Sequence, residues 1–441
     1  MKKIEKFFVK TYGCQMNVFD SERIEDSLSN FGIKKVKEPR YSDLILLNTC
    51  HIREKAAEKV YSELGRFKKI KRDNPEIKIG VIGCVAQAEG KEIIRRAEIV
   101  DMVLGPQVYH RLPEIIQRIQ YGERVVDTDF PLEDKFEKLV QNRNIKRSSS
   151  AFLTVQEGCD KFCSFCVVPY TRGAEVSRSP EVIVKEAKEL VESGVRELTL
   201  LGQNVNAYKT IRKSGKTSDL ADLIKQICII KNLKRLRFIT SHPIDMTDNL
   251  IELFGEEEKL MPYLHLPIQS GSDRILKKMN RGHTAQYYID TIGKLREKRP
   301  DIAISGDFIV GFPSETDEDF ASTLDLCDKI QYAQAYSFKY SPRAGTPSFE
   351  HDDLPKDIKV QRLLILQDKL KIHQTKFQKS LVGTIQEILI EKHGKFSKQY
   401  IGRSPYMNPV VITSKDKMIG KMIKVKITDT TGLSLSGYPV T

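Results

Sequence analysis

Between Lys6 and Ile119 the apolar residues come in short solid runs separated by amphipathic stretches. Lys6–Lys10, Asp43–Asn48 (DLILLN), Ile77–Ile82 and Met102–Leu104 read as strands; the unbroken apolar run of the second is that of a strand buried on both faces. Between and after them, Phe19–Asn30, Lys91–Ala97 and Pro113–Ile119 read as helices, and so does Arg53–Lys69, with Ala56, Val60, Leu64 and Phe67 at helical spacing. Repeated strand–helix alternation predicts a doubly wound parallel sheet over residues 1–126. The pattern then breaks down. Residues 127–150 are mostly polar, with Arg143, Lys146 and Arg147 ahead of three serines, and read as a linker.

Alternation resumes at Phe152. Strands are predicted at Phe152–Gln156, Glu197–Leu201, Arg235–Thr240, Tyr263–Pro267, Ala303–Ile309 and Ala335–Tyr340. Helices are predicted at Pro180–Glu192, Leu220–Ile229, Thr247–Phe254, Thr284–Glu297 and Asp317–Ile330. Six such units without two more predict a partial, open (β/α)6 barrel over residues 151–376, with ligands at the carboxyl ends of its strands. A long helical stretch, Asp357–Lys379, follows. Thr384–Glu391, Gln399–Gly402, Pro409–Thr413 and Met422–Thr428 then form short β-rich runs split by Gly, Asn and Ser, which predict a small OB-like β-barrel over residues 377–441. The fold class is α/β multidomain.

The 441 residues exceed one ordinary core, and 40% apolar content can fill several. The net charge of +13, from 72 basic and 59 acidic residues, favours a polyanionic partner. After Ser380 nine Lys or Arg stand against four Asp or Glu, as in RNA-binding barrels. A basic protein with no nucleic-acid role fits the composition equally well, so charge suggests RNA without establishing it. No apolar run reaches the ~18 residues of a membrane span, and Met1–Lys10 lacks the core of a signal peptide. A cytoplasmic protein is expected.

Eight cysteines in a reducing compartment point to metal or catalysis rather than disulfides. Cys159, Cys163 and Cys166 form C-x3-C-x2-C on the loop after the first barrel strand. Three thiolates on one short loop suit three irons of a cubane cluster and leave the fourth iron open, whereas structural zinc needs a fourth ligand that this loop lacks. Cys14, Cys50 and Cys84 each follow one of the first three strands. In a parallel sheet with right-handed crossovers those ends share one edge, so the thiols converge and imply a second cluster; the alternative is three buried thiols. Cys228 and Cys327 lie on predicted amphipathic helices and read as core.

A cysteine triplet after the first strand of a β/α barrel resembles the radical S-adenosylmethionine superfamily. TYGCQMNVFDSE, NTCHIREKA, IGCVAQ, VPYTRG, LLGQNVNAY and FIVGFPSET are similar to its methylthiotransferase family, a likeness that covers essentially the whole chain and identifies the C-terminal barrel with a TRAM domain. Cys14-Gln15-Met16-Asn17 and Arg53-Glu54-Lys55-Ala56 resemble the branch acting on N6-isopentenyladenosine beside the anticodon of tRNA. The competing branches act on threonylcarbamoyladenosine or on a ribosomal protein. The segment GRSPYMNPV, Gly402–Val410, departs from expectation in being less charged than an RNA-contacting loop.

The resemblance implies two [4Fe-4S] clusters. The one on Cys159, Cys163 and Cys166 binds S-adenosylmethionine and generates a radical that attacks adenine C2; the one on Cys14, Cys50 and Cys84 carries the sulfur. No side chain has a catalytic role of its own, because the cofactors perform the difficult step. The remaining strand ends offer cosubstrate contacts: Gly202, Gln203 and Asn204 after the second strand, Ser241 with His242, Gln269 with Ser270, and Gly311 with Pro313. Each is also an ordinary tight-turn residue. Arg172 and Arg343 are offered to phosphates, to helix capping or to solvent. The expected partners are the tRNA anticodon stem-loop and a reducing electron donor such as flavodoxin or ferredoxin; the chain is expected to be a monomer away from membranes. A non-catalytic RNA-binding protein with structural zinc is the alternative of a different class, separated by about eight irons per chain if both clusters are cubane.

Overall fold

A computed structural model of the chain describes residues 3–51, 55–130, 149–211, 215–351, 353–432 and 434–440. Most of the predicted linker, with Arg143, Lys146 and Arg147, lies outside these residues, as do Arg53 and Glu54. The chain divides into two compact units, and the first takes in two pieces of the later cysteine loop, Gly158–Asp160 and Cys166–Ala174.

The first unit is built on a parallel sheet with the strand order Lys34–Lys35, Lys6–Tyr12, Leu44–Thr49, Lys78–Gly83, Met102–Leu104, Val125–Asp127. Alternate residues of the central strand feed two cores. Leu44 and Leu46 pack with Ile24 and Leu28 of helix Gln15–Asn30 and with Ile115 of helix Leu112–Gln120. Ile45 and Leu47 pack with Val60, Leu64 and Phe67 of helix Lys55–Asp73 on the other side. The sheet is therefore doubly wound, as predicted. Lys34–Lys35 and Val125–Asp127 were not legible: both are very short edge strands, one wholly charged and exposed. Strand order reverses between Lys6–Tyr12 and Leu44–Thr49, the kind of crevice where doubly wound sheets bind ligands.

In the second unit six parallel strands stand in chain order, in two triplets. Ser150–Thr154, Glu197–Leu201 and Arg235–Phe238 form one; Tyr263–His265, Ala303–Val310 and Gln334–Lys339 form the other. A single parallel bridge, Leu236 to Leu260, joins them. Leu198, Leu200, Leu236, Leu264, Ile304 and Phe308 point outward into one core shared with the surrounding helices. Period-two alternation therefore turns Glu197, Arg235, Arg237, Tyr263, His265, Ser305 and Asp307 inward. The open six-stranded barrel follows the prediction.

Helix Lys356–Leu381 packs Leu366 and Leu370 into that core and leads to a closed five-stranded barrel. Its fifth strand, Leu435–Pro439 (LSGYP), carries Ser, Gly and Pro and gives no strand signal in the sequence. The segment Gly402–Val410 has an internal task that explains its low charge. Arg237 donates to the carbonyls of Ser404 at 2.9 Å and Pro405 at 2.6 Å, and Arg235 donates to those of Arg403 at 2.9 Å and Glu387. Tyr406 reaches Asp301 at 2.9 Å, and Phe377, Tyr406 and Met407 pack on Tyr263, Ala303 and Ala333. That loop closes the floor of the barrel.

Candidate active site

The register of the first unit pairs Tyr12 with Thr49 and Thr49 with Gly83, so three neighbouring strands end in one row. Cys14 lies two residues past its strand, and Cys50 and Cys84 one residue past theirs. The approach is close enough to demand glycine. Gly13 has φ +132°, and a Cβ there would stand 2.3 Å from the Cβ of Cys50; Gly83 has φ +97°, and its Cβ would stand 2.5 Å from the Thr49 carbonyl. The fully buried Asn17 and Asn48 tie the row together. Cys14 Sγ donates to Asn17 Oδ1 at 3.2 Å, Asn17 Nδ2 to Asn48 Oδ1 at 3.0 Å, and Asn48 Nδ2 to the Asn17 carbonyl at 2.9 Å.

A hydrogen bond with Cys50 is the largest influence lowering the Cys14 thiol, to about 6; Asn17 and Arg172 act in the same direction. Burial pushes Cys84 up, against the pull of Arg172. Sequence reading left Arg172 to phosphate, capping or solvent. It is buried instead, its Nε 3.4 Å from Cys84 Sγ and its Nη2 2.5 Å from Asp20 Oδ2.

The second trio lies on the loop Cys159–Cys166. Gly158 (φ +78°) lets the loop pass 1.9 Å, for a would-be Cβ, from the Ala174 carbonyl, and Cys159 N donates to the Gly173 carbonyl at 3.2 Å. Cys163 is buried, and Arg281 donates to its sulfur at 3.3 Å and to the Pro267 carbonyl at 2.6 Å. Among the described residues Arg281 makes no ion pair. Also among the described residues, no three His, Cys, Asp or Glu side chains converge tightly enough to hold a single metal ion.

The strand-end residues separate into two groups. Asn204, Ser241 and His242 lie with Arg281 and Asp245 at the ends of neighbouring strands: Asn204 Nδ2 donates to Asp245 at 2.8 Å, as does Lys161 at 2.7 Å. Among the described residues Asn204 Oδ1, Ser241 Oγ, His242 Nε2 and Arg281 Nε are all buried without a hydrogen-bond partner. Burial first, then the positive charge of Arg281, drives the His242 pKa far down and keeps the ring neutral. The other residues meet neighbouring protein. Gln156 Oε1 accepts from the amides of Gln203 (2.9 Å) and Asn204 (3.1 Å) and would lie 2.5 Å from a Cβ at Gly202. Gly311 (φ +68°) passes under Lys359 and donates to Glu315 at 2.9 Å, and Pro313 is buried beside it in sequence. Gln269, at φ +81°, exchanges backbone hydrogen bonds with Asp307 and Ile309, and Ser270 meets Thr323. Sequence reading missed Arg281, Asp245 and Lys161; only their closeness in the fold marks them.

Inside the barrel His265 faces Asp307 at 3.5 Å and Ser305 at 3.0 Å. Asp307 pairs across the sheet with Tyr336, and Ile309 with Phe338, so both aromatic rings face inward. They are 45% and 40% exposed. Two partly exposed aromatic rings beside a polar pair can stack a flat heterocycle and read its edge.

Family patterns match three stretches: Uncharacterized protein family UPF0004 over residues 6–105, the Radical SAM superfamily over 153–327 and the TRAM domain over 379–440. The chain is 56% identical over 437 residues to a tRNA-2-methylthio-N(6)-dimethylallyladenosine synthase of a Ruegeria species, covering 99% of both sequences. It is 55% identical to the enzyme of the same description from Ruegeria pomeroyi, with the same coverage. Among solved structures it resembles a radical S-adenosylmethionine methyltransferase of Kitasatospora setae, with TM-score 0.56, 12% identity and coverage of 78% of this chain and 75% of that one. It also resembles a cobalamin-dependent S-adenosylmethionine radical enzyme, with TM-score 0.53 and coverage of 84% and 56%. At 12% identity these likenesses show the fold alone.

Proposed function

The chain belongs to the family of tRNA-2-methylthio-N(6)-dimethylallyladenosine synthases, and from that premise we propose that Cys14, Cys50 and Cys84 hold the sulfur-delivering [4Fe-4S] cluster while Cys159, Cys163 and Cys166 hold the radical-generating one. It is a radical S-adenosylmethionine methylthiotransferase that converts N6-isopentenyladenosine in tRNA to its 2-methylthio form. The target is the adenosine beside the anticodon. The electron comes from a small reductant of the flavodoxin or ferredoxin type, and the enzyme works as a monomer in the cytoplasm. Among the described residues no helix is long and apolar enough to cross a membrane.

The observation that carries the assignment is the row Tyr12–Thr49–Gly83, which supports three thiols at one sheet edge, one of them held low in pKa. Three thiols per site also suit a cubane with one open iron. A cluster held by Cys159, Cys163 and Cys166 would pass one electron to S-adenosylmethionine, and the radical so released would remove a hydrogen which no side chain is basic enough to take. The protein's own groups then bind and orient. Arg281, a buried cation that among the described residues pairs with no carboxylate, fits anions: the thiolates and the carboxylate of the cosubstrate. Asn204, Ser241 and neutral His242 have unused hydrogen-bonding atoms for its polar groups. Mass spectrometry of hypomodified tRNA treated with reconstituted enzyme should show 2-methylthio-N6-isopentenyladenosine. Cells lacking the gene should lose that nucleoside, and its persistence would remove this substrate.

Tyr336 and Phe338 are the surfaces on which the adenine stacks, with Asp307 placed to accept a hydrogen bond from N6–H. A carboxylate inside the barrel also disfavours the competing substrates, threonylcarbamoyladenosine and an aspartate side chain, because each brings a like charge. Losing one stacking ring costs about 1–3 kcal/mol, so Phe338→Ala should lower kcat/KM for tRNA roughly 5- to 150-fold while uncoupled cleavage of S-adenosylmethionine stays near wild type. An unchanged kcat/KM would place the base elsewhere.

A further inference from the structure

We propose that Arg172 is a positioning residue for the iron–sulfur centre on Cys14, Cys50 and Cys84, and that with Asp20 it sets how readily that centre accepts an electron. The proposal rests on the assignment of those cysteines made above.

Arg172 and Asp20 are 3% and 5% exposed. A guanidinium buried this deeply is held by its contacts, and here they fix it in one orientation. Nη2 donates to Asp20 Oδ2 at 2.5 Å, while Nε faces Cys84 Sγ at 3.4 Å. Below the side chain, the Arg172 carbonyl accepts from Gln107 Nε2 at 2.5 Å, and the short helix Val168–Arg172 ends at Gly173, whose φ of +81° turns the chain away. The planar fork serves a carboxylate with one N–H and a sulfur with another in fixed relative directions, which the rotatable ammonium of a lysine would not impose.

Reduction adds negative charge to an iron–sulfur centre, and hydrogen bonds to its sulfurs together with net nearby charge set its potential. Arg172 contributes both a donor and a positive charge at Cys84. Asp20 offsets the charge without touching the sulfur. The two residues therefore act on the potential with opposite signs. Arg172 also lies only six positions beyond Cys166, in the segment Cys166–Ala174 that packs within the first unit. The stretch bearing the last thiol of the radical loop is thus anchored by a contact to a thiol of the sulfur-delivering trio.

The test uses the full-length chain with Cys159, Cys163 and Cys166 replaced by alanine, so that only the one centre remains, reconstituted anaerobically with iron and sulfide. Its midpoint potential is read from the electron paramagnetic resonance of the reduced centre during a dithionite titration. Arg172→Gln should make reduction less favourable by roughly tenfold, which for one electron is 59 mV downward. Asp20→Asn should move the midpoint upward, and the double substitution should fall between the two. Because either single change removes one side of a buried ion pair, the double variant, neutral on both sides, keeps the comparison available if a single variant does not fold. Midpoints within error of the parent in the variants that retain iron, or a shift of the same sign in both single variants, would overturn the proposal. A parent chain that takes up no iron would instead remove the cysteine assignment, and this inference with it.

Discussion

Replacing Cys163 with alanine is expected to abolish cleavage of S-adenosylmethionine, while Cys50→Ala leaves measurable cleavage and stops sulfur insertion. The expectation follows from where the two thiols sit. Cys163 is the buried member of the loop trio, the one that Arg281 approaches at 3.3 Å; without it the loop offers two thiolates, too few to leave a single open iron on a stable cubane. Cys50 is buried at the end of the central strand of the other sheet, its Cβ so near Gly13 that only glycine fits there. Its loss empties the middle of that row and leaves all three loop cysteines in the chain. Cleavage is followed as 5′-deoxyadenosine by chromatography, insertion as methylthio nucleoside by mass spectrometry. The visible absorption of the reconstituted chain should fall in two separate steps when the two trios are replaced in turn. Equal loss of cleavage in Cys163→Ala and Cys50→Ala would end the division of labour between the centres.

Both trios were legible because strand ends are legible. Solid apolar runs such as DLILLN locate a strand to within a residue, and in a parallel sheet the residue after each run falls on a common edge. What holds the trios in place was hidden. Gly13 and Gly83 stand in the sequence as ordinary turn residues; that each excludes a side chain depends on register, which spacing alone does not supply. Arg172 and Arg281 come from distant segments, and a charged residue at a helix end reads as solvated until the fold buries it. At Gly202 and Gly311 the freedom from a side chain is used against Gln156 and Lys359, neighbours that spacing alone does not reveal. Polar atoms left unsatisfied in the fold mark Asn204, Ser241 and His242 as the stronger binding candidates, and the sequence ranks no strand end that way.

Glu197→Gln should destabilise the second unit by about 3–5 kcal/mol, the cost of breaking a buried ion pair and leaving its partner uncompensated. Glu197 lies between Arg235 and Arg237, at 3.5 and 3.2 Å, and each arginine is 1% exposed. The terminal nitrogens of both guanidinium groups also donate to carbonyls of the C-terminal barrel, so the Glu197 carboxylate pairs with the charges that join that barrel to the radical domain. Burial by itself would raise the Glu197 pKa, but Arg237 and Arg235 outweigh it and hold the group below the usual carboxylate range. A depressed carboxylate gives stability that is complete above its ordinary pKa and is lost as acid carries the pH down through the folded value. The wild-type advantage over Glu197→Gln should therefore be full at neutral pH and shrink only in strong acid. Urea unfolding at pH 7 and at pH 3 reads both effects, and limited proteolysis should cut Arg403–Asn408 sooner in the variant. An unchanged midpoint at neutral pH would mean that the two arginines are satisfied by carbonyls alone, and that the C-terminal barrel is held by Tyr406, Met407 and Phe377 rather than by charge.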